Sequence, residues 1–202
     1  VKLLNNRIGS NAINDIVVAA EQLWVGTGHS LMMSEDQGMT WEIISRADGI
    51  GKGGVSALFV RENTVWAATA FDTTTSEGEY SAGGGIGFSI DRGESWTWYS
   101  QPTDSSDVQD YAPTTTSIQN ITYDIAVAEN TVWIASFGGG LRKSTTAGQT
   151  WQVVTVDGQP FDALGRLAHR AFAVHYDGSS LWVGTAAGIH RSDDNGATWT
   201  TF

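Results

Sequence analysis

The strongest constraint on the fold is a segment that occurs four times along the chain. Each copy has one tryptophan inside an apolar run and a second tryptophan after a short stretch rich in Ser, Asp, Gly and Thr. The pairs are Trp24 and Trp41, Trp66 and Trp96, Trp133 and Trp151, and Trp182 and Trp199. Their spacing is 17, 30, 18 and 17 residues, so the second copy carries an insertion. Repeats of about 40 to 50 residues are typical of propellers and other arrays, and the repeat therefore decides the fold class.

Each copy is predicted to form four short strands. An apolar segment comes first, a strand rich in β-branched and aromatic residues surrounds the first Trp, a third strand ends at Ser, and a fourth begins at the second Trp. The apolar runs are too continuous for a sheet with one wet face, so both faces should be covered. Sheets stacked around an axis meet this demand. We therefore predict an all-β protein, a single β-propeller domain over residues 1–202, with four four-stranded blades at about 12–45, 54–100, 118–156 and 170–202.

The stretch before each second Trp resembles the Asp box, or BNR repeat, which has the pattern Ser-x-Asp-x-Gly-x-Thr-Trp. The full matches are Ser34, Asp36, Gly38, Thr40 and Trp41, and Ser192, Asp194, Gly196, Thr198 and Trp199. The second copy has Ser95 in the Thr place, and the third has Thr146 in the Asp place. This repeat occurs in sialidases, xyloglucan-cleaving glycosidases, photosystem assembly factors and sensor propellers. The resemblance therefore implies the propeller fold and leaves the function open.

The box residues themselves are interpreted as structural. A short Asp side chain can accept hydrogen bonds from the backbone of the turn between strands three and four, and Gly supplies the positive φ that the turn needs. Asp36, Asp91 and Asp194 have no second carboxylate at box spacing with which to form a catalytic pair or a metal site. We therefore predict that the repeat builds the scaffold and that other residues carry the function.

The insertions predict a binding face. Connections alternate between the two ends of a blade, so the segments 71–84, 101–117 and 157–170 should all emerge opposite the boxes. Loops on a rigid scaffold commonly carry function. The candidate binding residues in these loops are Phe71, Tyr80, Asp110, Tyr111, Phe161, Arg166, His169 and Arg170. This mixture suits a protein or a glycan, and the preferred function is a non-enzymatic scaffold that binds one of them.

An alternative function is part of a polysaccharide-cleaving glycoside hydrolase. Asp15 and Asp124 occupy the same column of the innermost strands of copies one and three, where the other copies have Ala57 and Ala173. Two carboxylates that face one cleft can act as the acid and base of a glycosidase. Sialidase activity is not expected. Resemblance to sialidases would require an Arg-Ile-Pro motif, and the nearest segment, NRIGS with Arg7, has Gly in place of the proline.

Composition excludes several partners. The 11 Lys and Arg against 22 Asp and Glu give a net charge of -11, which does not suit nucleic acid. No apolar run is long enough for a membrane span, so direct membrane insertion is not expected. The absence of Cys excludes thiolate metal sites, and neither Asp104, Asp107 and Asp110 nor the four histidines show metal-ligand spacing. We predict no metal and no cofactor, histidines at the surface or at strand edges, and a bacterial extracellular or periplasmic location.

The ends of the array bear on assembly. VKLL, residues 1–4, occupies the place of the tail of an earlier fourth strand, which predicts a longer parent propeller. An open arc of four blades would expose two apolar faces. The segment is therefore expected to close on itself, to associate with another copy and complete a ring, or to be one part of a larger propeller.

Asn120-Ile121-Thr122 also forms a glycosylation sequon.

Overall fold

A computed structural model describes residues 4–103 and 116–202, and in these ranges the protein is all β with two short 3-10 turns, Arg46–Asp48 and Leu167–His169. The strands form four antiparallel sheets in which consecutive strands are neighbours in space, except that the first strand pairs with the fifth. Each sheet is one blade, and the predicted β-propeller with four blades is confirmed. Of the predicted binding residues, Asp110 and Tyr111 lie outside the described residues.

The four blades have the following strands. Blade 1 contains β1 (Leu4–Asn5), β2 (Ile13–Ala19), β3 (Gln22–Thr27), β4 (Leu31–Ser34) and β5 (Trp41–Ile44). Blade 2 contains β6 (Gly54–Arg61), β7 (Thr64–Thr75), β8 (Gly78–Ser89) and β9 (Thr97–Tyr99). Blade 3 contains β10 (Thr122–Ala128), β11 (Thr131–Ser136), β12 (Gly140–Ser144) and β13 (Gln152–Val154). Blade 4 contains β14 (Ala171–Tyr176), β15 (Leu181–Thr185), β16 (Gly188–Ser192) and β17 (Thr200–Thr201).

The first described residues add a fifth strand to blade 1. Leu4 pairs with Glu42 and Asn5 pairs with Trp41, so β1 runs antiparallel to β5 on the outer edge of the sheet. Sequence analysis assigned this segment to the tail of an earlier blade. The pairing differs because the outer edge of β5 offers unpaired backbone groups to any extended segment nearby.

The insertion of blade 2 is a β-ribbon and not an irregular loop. Strands β7 and β8 each have 12 residues and pair with each other, so most of the segment 71–84 is extended strand. At the tip, the Glu77 N–H donates to Thr75 Oγ1 at 3.1 Å. The β-branched run Thr73 to Thr75 favours this extended backbone, and the prediction that the insertion between the second and third strands is a loop was wrong.

The chain divides into two compact units. Unit 1 comprises Val1–Glu79 with Gly83–Ser100 and holds blades 1 and 2, while unit 2 comprises Tyr80–Ala82 with Gln101–Phe202 and holds blades 3 and 4. In unit 1, Trp24, Leu31 and Ile44 of blade 1 form one buried cluster with Val55 and Leu58 of blade 2.

Unit 2 repeats this packing with different residues. Trp133 and Leu141 of blade 3 are buried in one cluster with Val174, Leu181 and Val183 of blade 4. Every residue of β11 is buried. The continuous apolar character of this second strand therefore agrees with its place in the core of unit 2.

Candidate functional site

The turns that precede the second tryptophans, here called the box turns (34–41, 89–96, 144–151 and 192–199), are closed by side chains. In the first, the Thr40 N–H donates to Asp36 Oδ1 at 2.8 Å and the Thr40 hydroxyl donates to Asp36 Oδ2 at 2.6 Å. The Ser34 hydroxyl also donates to Asp36 Oδ1 at 2.8 Å, and Ser34 Oγ accepts from the Gly38 N–H at 2.8 Å. The turns of blades 2 and 4 have the same bonds around Asp91 and Asp194.

The box turn of blade 3 keeps its shape without a carboxylate. Thr146 Oγ1 accepts from the Thr150 N–H at 2.9 Å and lies 2.8 Å from the Thr150 hydroxyl oxygen. Ser144 Oγ still accepts from the Gly148 N–H at 2.9 Å. One hydroxyl thus bonds to both groups of Thr150, whereas in the other turns two carboxylate oxygens bond to the equivalent Thr or Ser. The bonding of this turn, which the sequence left in doubt, is maintained.

The hydrogen bonds hold the box carboxylates in their ionised form. The Ser95 hydroxyl, the Ser95 N–H and the Ser89 hydroxyl lower the pKa of Asp91 to about 2. The equivalent donors from Thr198 and Ser192 lower the pKa of Asp194 to about 2, and the pKa of Asp36 is lowered by Thr40 first of all. A general acid needs a proton near neutral pH, and these groups lose theirs well below it. Their geometry and their pKa values fit the structural interpretation.

The box glycines of blades 2 and 4 lie against the first tryptophan of the preceding blade in the same unit. A methyl group on Gly93 would come within 2.9 Å of Trp24 Cη2, and one on Gly196 would overlap the Trp133 ring. In unit 2, the Trp133 indole N–H also donates to Asn195 Oδ1 at 3.2 Å, and the Asn195 amide donates to Thr131 Oγ1 at 3.1 Å. The box turns of blades 2 and 4 therefore close their own blades and also dock on blades 1 and 3, respectively.

The two candidate glycosidase carboxylates connect neighbouring blades. Asp15 Oδ1 accepts from the Ile16 N–H of its own strand, and Asp15 Oδ2 accepts from the Leu58 N–H of blade 2, both at 2.8 Å. Asp124 does the same in unit 2, where Oδ2 accepts from the Val174 N–H of blade 4 at 2.9 Å. Both oxygens of each carboxylate are thus bound to backbone amides.

Two predicted binding residues lie on the ribbon of blade 2. Phe71, on β7, is half-buried, and the Lys52 ammonium lies 3.5 Å from its ring centroid, which is a close cation–π contact. Tyr80, on β8, is also half-buried. Each of these aromatic side chains is therefore partly buried and keeps part of its surface exposed.

The link between blades 3 and 4, residues 157–170, is a structured loop. The His169 side chain is buried at 3% exposure and stacks on Phe161, with ring centroids 5.6 Å apart. Its Nδ1 accepts from the Asp162 N–H at 2.8 Å, and its Nε2 lies 2.8 Å from Asp157 Oδ1. Phe161 and His169, both predicted to bind a partner, instead form the interior of the loop.

His190 is also buried. The prediction that the histidines lie at the surface or at strand edges was therefore wrong for His169 and His190.

Two arginines of this loop have different environments. Arg166 is exposed and forms an ion pair with Asp157 at 3.5 Å. Arg170 donates through Nε to Ala163 O and through Nη2 to Leu164 O, both at 2.6 Å, and its guanidinium lies 5.2 Å from the Phe137 ring centroid. Arg170 therefore holds the loop closed and continues toward an aromatic cluster.

That aromatic cluster consists of Tyr123, Phe137 and Phe172, and sequence analysis did not identify it. The ring of Phe172 lies 5.7 Å from Tyr123 and 6.1 Å from Phe137, with interplanar angles of 38° and 53°. Tyr123 and Phe172 are 42% and 41% exposed. Both stand one position before the Asp124 and Ala173 column, so an alignment of the four inner strands could have revealed them.

The sequon asparagine is inside the protein. Asn120 is 1% exposed, and its amide donates to Pro102 O at 2.8 Å and to Thr116 O at 2.9 Å. Its Oδ1 accepts from the Ser136 hydroxyl at 2.7 Å. Asn120 thus bonds to both described ends of the segment 101–117 and is not displayed for glycosylation.

Two cavities open beside the box turns. The one in unit 1 has a volume of about 670 Å³ and is lined by Ala20, Glu21, Gln22, Glu35, Glu62, Asn63 and Arg92. The one in unit 2 has a volume of about 230 Å³, and its lining includes Glu129, Asp193 and Asp194. Both are acidic, and both lie on the side opposite the predicted binding face.

The described ranges contain no group of three His, Asp or Glu side chains that could hold a metal ion. No helix in the same ranges has the length and apolar character needed to cross a membrane.

No family model and no curated protein matches the chain, whereas solved structures do. A GH74 xyloglucanase from Xanthomonas campestris is similar, with a TM-score of 0.64 and 15% identity over 100% of this chain and 32% of the enzyme. YCF48 from Cyanidioschyzon merolae has a TM-score of 0.59 and 13% identity over 98% of this chain and 58% of that protein. The extracellular domain of a hybrid two-component system from B. thetaiotaomicron has a TM-score of 0.54 and 13% identity over 100% of this chain and 23% of its own.

The chain thus spans between 23% and 58% of the length of these structures. They include a xyloglucanase, YCF48 and the extracellular domain of a two-component system. At such low identity the likeness establishes a fold and not an activity. The comparisons therefore show that this chain is a β-propeller.

Proposed function

We propose that this chain is a non-enzymatic propeller module of the Asp-box type that binds a protein or a glycan through the face opposite the box turns. The observation that carries the proposal is the link 157–170, which is a built loop and not a simple connection. Its buried His169 and the clamp of Arg170 on two carbonyls fix its backbone. A fixed loop next to exposed aromatic rings is the arrangement that binding surfaces on rigid scaffolds use.

The experiment is a binding screen followed by alanine variants on the proposed face. The chain is immobilised and exposed to a peptide library and to a panel of β-glucan oligosaccharides, and the ligands found are then titrated against Tyr80→Ala, Tyr111→Ala and Arg166→Ala. We expect each variant to weaken binding. Full affinity in all three would place the ligand elsewhere and would overturn the proposal for this face.

The alternative function, part of a polysaccharide-cleaving hydrolase, is supported by the fold that this chain shares with a GH74 xyloglucanase. It assigns the acid and base to Asp15 and Asp124. Their engagement with two backbone amides each argues against it, because a general acid needs an oxygen free to hold and release a proton. The alternative predicts that the chain releases reducing ends from β-glucans and that Asp124→Asn abolishes the release, whereas unchanged turnover would remove the assignment.

We propose further that the module works outside the cytoplasm of a bacterium and associates with a second copy to complete a ring. Large apolar side chains are exposed on blade 1, at Ile16 and Val18, and on blade 4, at Ile189 and Phe202. Such surfaces are typical of protein contacts. Light scattering after gel filtration tests the association: the mass of one chain, 21.6 kDa, would contradict it, and twice that mass is expected.

A further inference from the structure

The innermost strands of all four blades carry a β-bulge at the same place. The register shifts between Ile13 and Asp15, Val55 and Ala57, Thr122 and Asp124, and Ala171 and Ala173. The extra residues are Asn14, Ser56, Tyr123 and Phe172. A bulge re-aims one side chain without ending the strand, and bulges occur next to functional sites. The repeat thus provides one re-aimed side chain per blade, near the start of each inner strand.

In unit 2 the two re-aimed side chains are aromatic and meet each other. Tyr123 and Phe172 are in contact, and Phe172 also contacts Phe137, which directly follows the end of β11. The starts of β10 and β14 and the end of β11 all lie on the link side of their blades, opposite the box turns. The cluster is therefore on the face where the proposed function places the ligand.

The chemistry around the cluster selects among ligands. The three rings are tilted against each other and do not present one flat surface on which a sugar ring could stack. Few polar groups remain for sugar hydroxyls, because Asp124 accepts two amides and Arg170 uses Nε and Nη2 on carbonyls. Among the described residues, Arg170 Nη1 has no hydrogen-bond partner, which leaves one cationic donor beside an apolar surface.

We propose that Tyr123, Phe137, Phe172 and Arg170 form a binding site for an extended protein segment that carries an apolar side chain next to a carboxylate. This inference rests on the proposed function and narrows it from a protein or a glycan to a protein. The apolar side chain packs among the three rings, and the carboxylate pairs with the guanidinium of Arg170. Aromatic anchors with one cation at their edge are typical of peptide-binding hot spots.

A selection from random twelve-residue peptides displayed on phage tests the site, and the best peptide is then synthesised and titrated by calorimetry. We expect it to contain a Leu, Ile, Met or Phe within a few residues of an Asp or Glu. Tyr123→Ser and Phe172→Ser should each weaken binding at least about tenfold, because each removes one wall of an anchor pocket. Met39→Ser is the matched control, since Met39 is a large exposed apolar residue at a box turn, and it should leave the affinity unchanged.

The charge component is tested on the peptide, so that the protein is left intact. Exchanging the acidic residue of the peptide for its amide should lower the affinity and remove most of its salt dependence. Circular dichroism of both Ser variants controls for folding. Tyr123 and Phe172 lie on different blades, so a loss of binding in both variants is not explained by damage to a single blade.

The outcomes separate this inference from the function on which it rests. Peptides that bind equally to both Ser variants would overturn the site and leave the proposed function standing. Binding of β-glucan oligosaccharides, lost in the same variants, would overturn the protein segment as ligand. Enrichment of neither ligand class would overturn both proposals.

Discussion

The contact between a box glycine and the tryptophan of the preceding blade gives a quantitative prediction for Gly196→Ala. Gly196 has φ +82°, which disfavours any residue with a Cβ, and the added methyl group would overlap the Trp133 ring. The backbone component costs about 1–2 kcal/mol. Overpacking of a buried contact adds about 1–3 kcal/mol. We therefore expect Gly196→Ala to lower the free energy of unfolding by about 2–5 kcal/mol.

Gly178→Ala is the matched control, because it has the backbone cost of a positive φ without the cost of overpacking. Gly178 lies in the same blade at φ +98°, and a methyl group there has no heavy atom within 4 Å. Only the backbone component, about 1–2 kcal/mol, should be lost. For a chain of this length, each kcal/mol shifts the melting temperature by about 2–4 °C. Thermal unfolding followed by circular dichroism should therefore place Gly196→Ala several degrees below Gly178→Ala.

A double-mutant cycle identifies the cause of the difference. Replacing Trp133 by Leu shortens the ring that the methyl group meets, so Gly196→Ala should cost less in the Trp133→Leu background than in the natural chain. Equal melting temperatures for Gly196→Ala and Gly178→Ala, or costs that simply add in the double variant, would refute the assignment of the box turn as an interblade contact.

Three further predictions concern carboxylates and a buried histidine. Asp124→Asn keeps one acceptor oxygen for two amides, so it should lower the free energy of unfolding in urea by about 1.5–3 kcal/mol, and an unchanged value would show that the bond to Val174 is not stabilising. Because the pKa of Asp194 is about 2 in the fold and 3.8 without its partners, its contribution is present above about pH 4 and lost toward pH 2. Asp194→Asn should make the urea midpoint depend less on pH in this range. An equally steep loss of stability in the variant would contradict the assignment. Burial lowers the pKa of His190 below 6.5, so stability should fall as the pH drops from 7 to 5 and His190→Gln should reduce this fall; the same fall in the variant would contradict the prediction.

The fold was predictable because the repeat encodes local spacing that any blade must satisfy. The pairing of Ser, Asp, Gly and Thr in the box turns follows from short-range hydrogen bonds, and the structure has the predicted turn in each blade. The ribbon of β7 and β8 was missed because the insertion between the second and third strands of blade 2 was taken as a loop, although its β-branched Thr residues favour strands. Local patterns therefore determined the blades, and errors began where one pattern supports two structures.

The candidate site was less predictable because it depends on contacts between distant segments. His169 was expected at the surface, and only its contacts with Phe161, Asp157 and Asp162 explain its burial. Tyr123 and Phe172 are 49 residues apart in sequence, and their contact arises only because two inner strands lie side by side. A single sequence does not contain this information unless its repeats are aligned column by column.

The same alignment identifies a contact that recurs between the two blades of each unit. The column one position beyond each bulge alternates as Asp15, Ala57, Asp124 and Ala173. In the first and third blades the carboxylate accepts a backbone amide of the following blade, and an alanine has no group with which to do so. The tryptophan and glycine contacts, Trp24 with Gly93 and Trp133 with Gly196, join the same blades. Since nearest-neighbour interfaces add to the stability of a repeat array, these contacts stabilise each pair of blades. The same two contacts therefore recur in both units, and the aromatic cluster forms inside the second one.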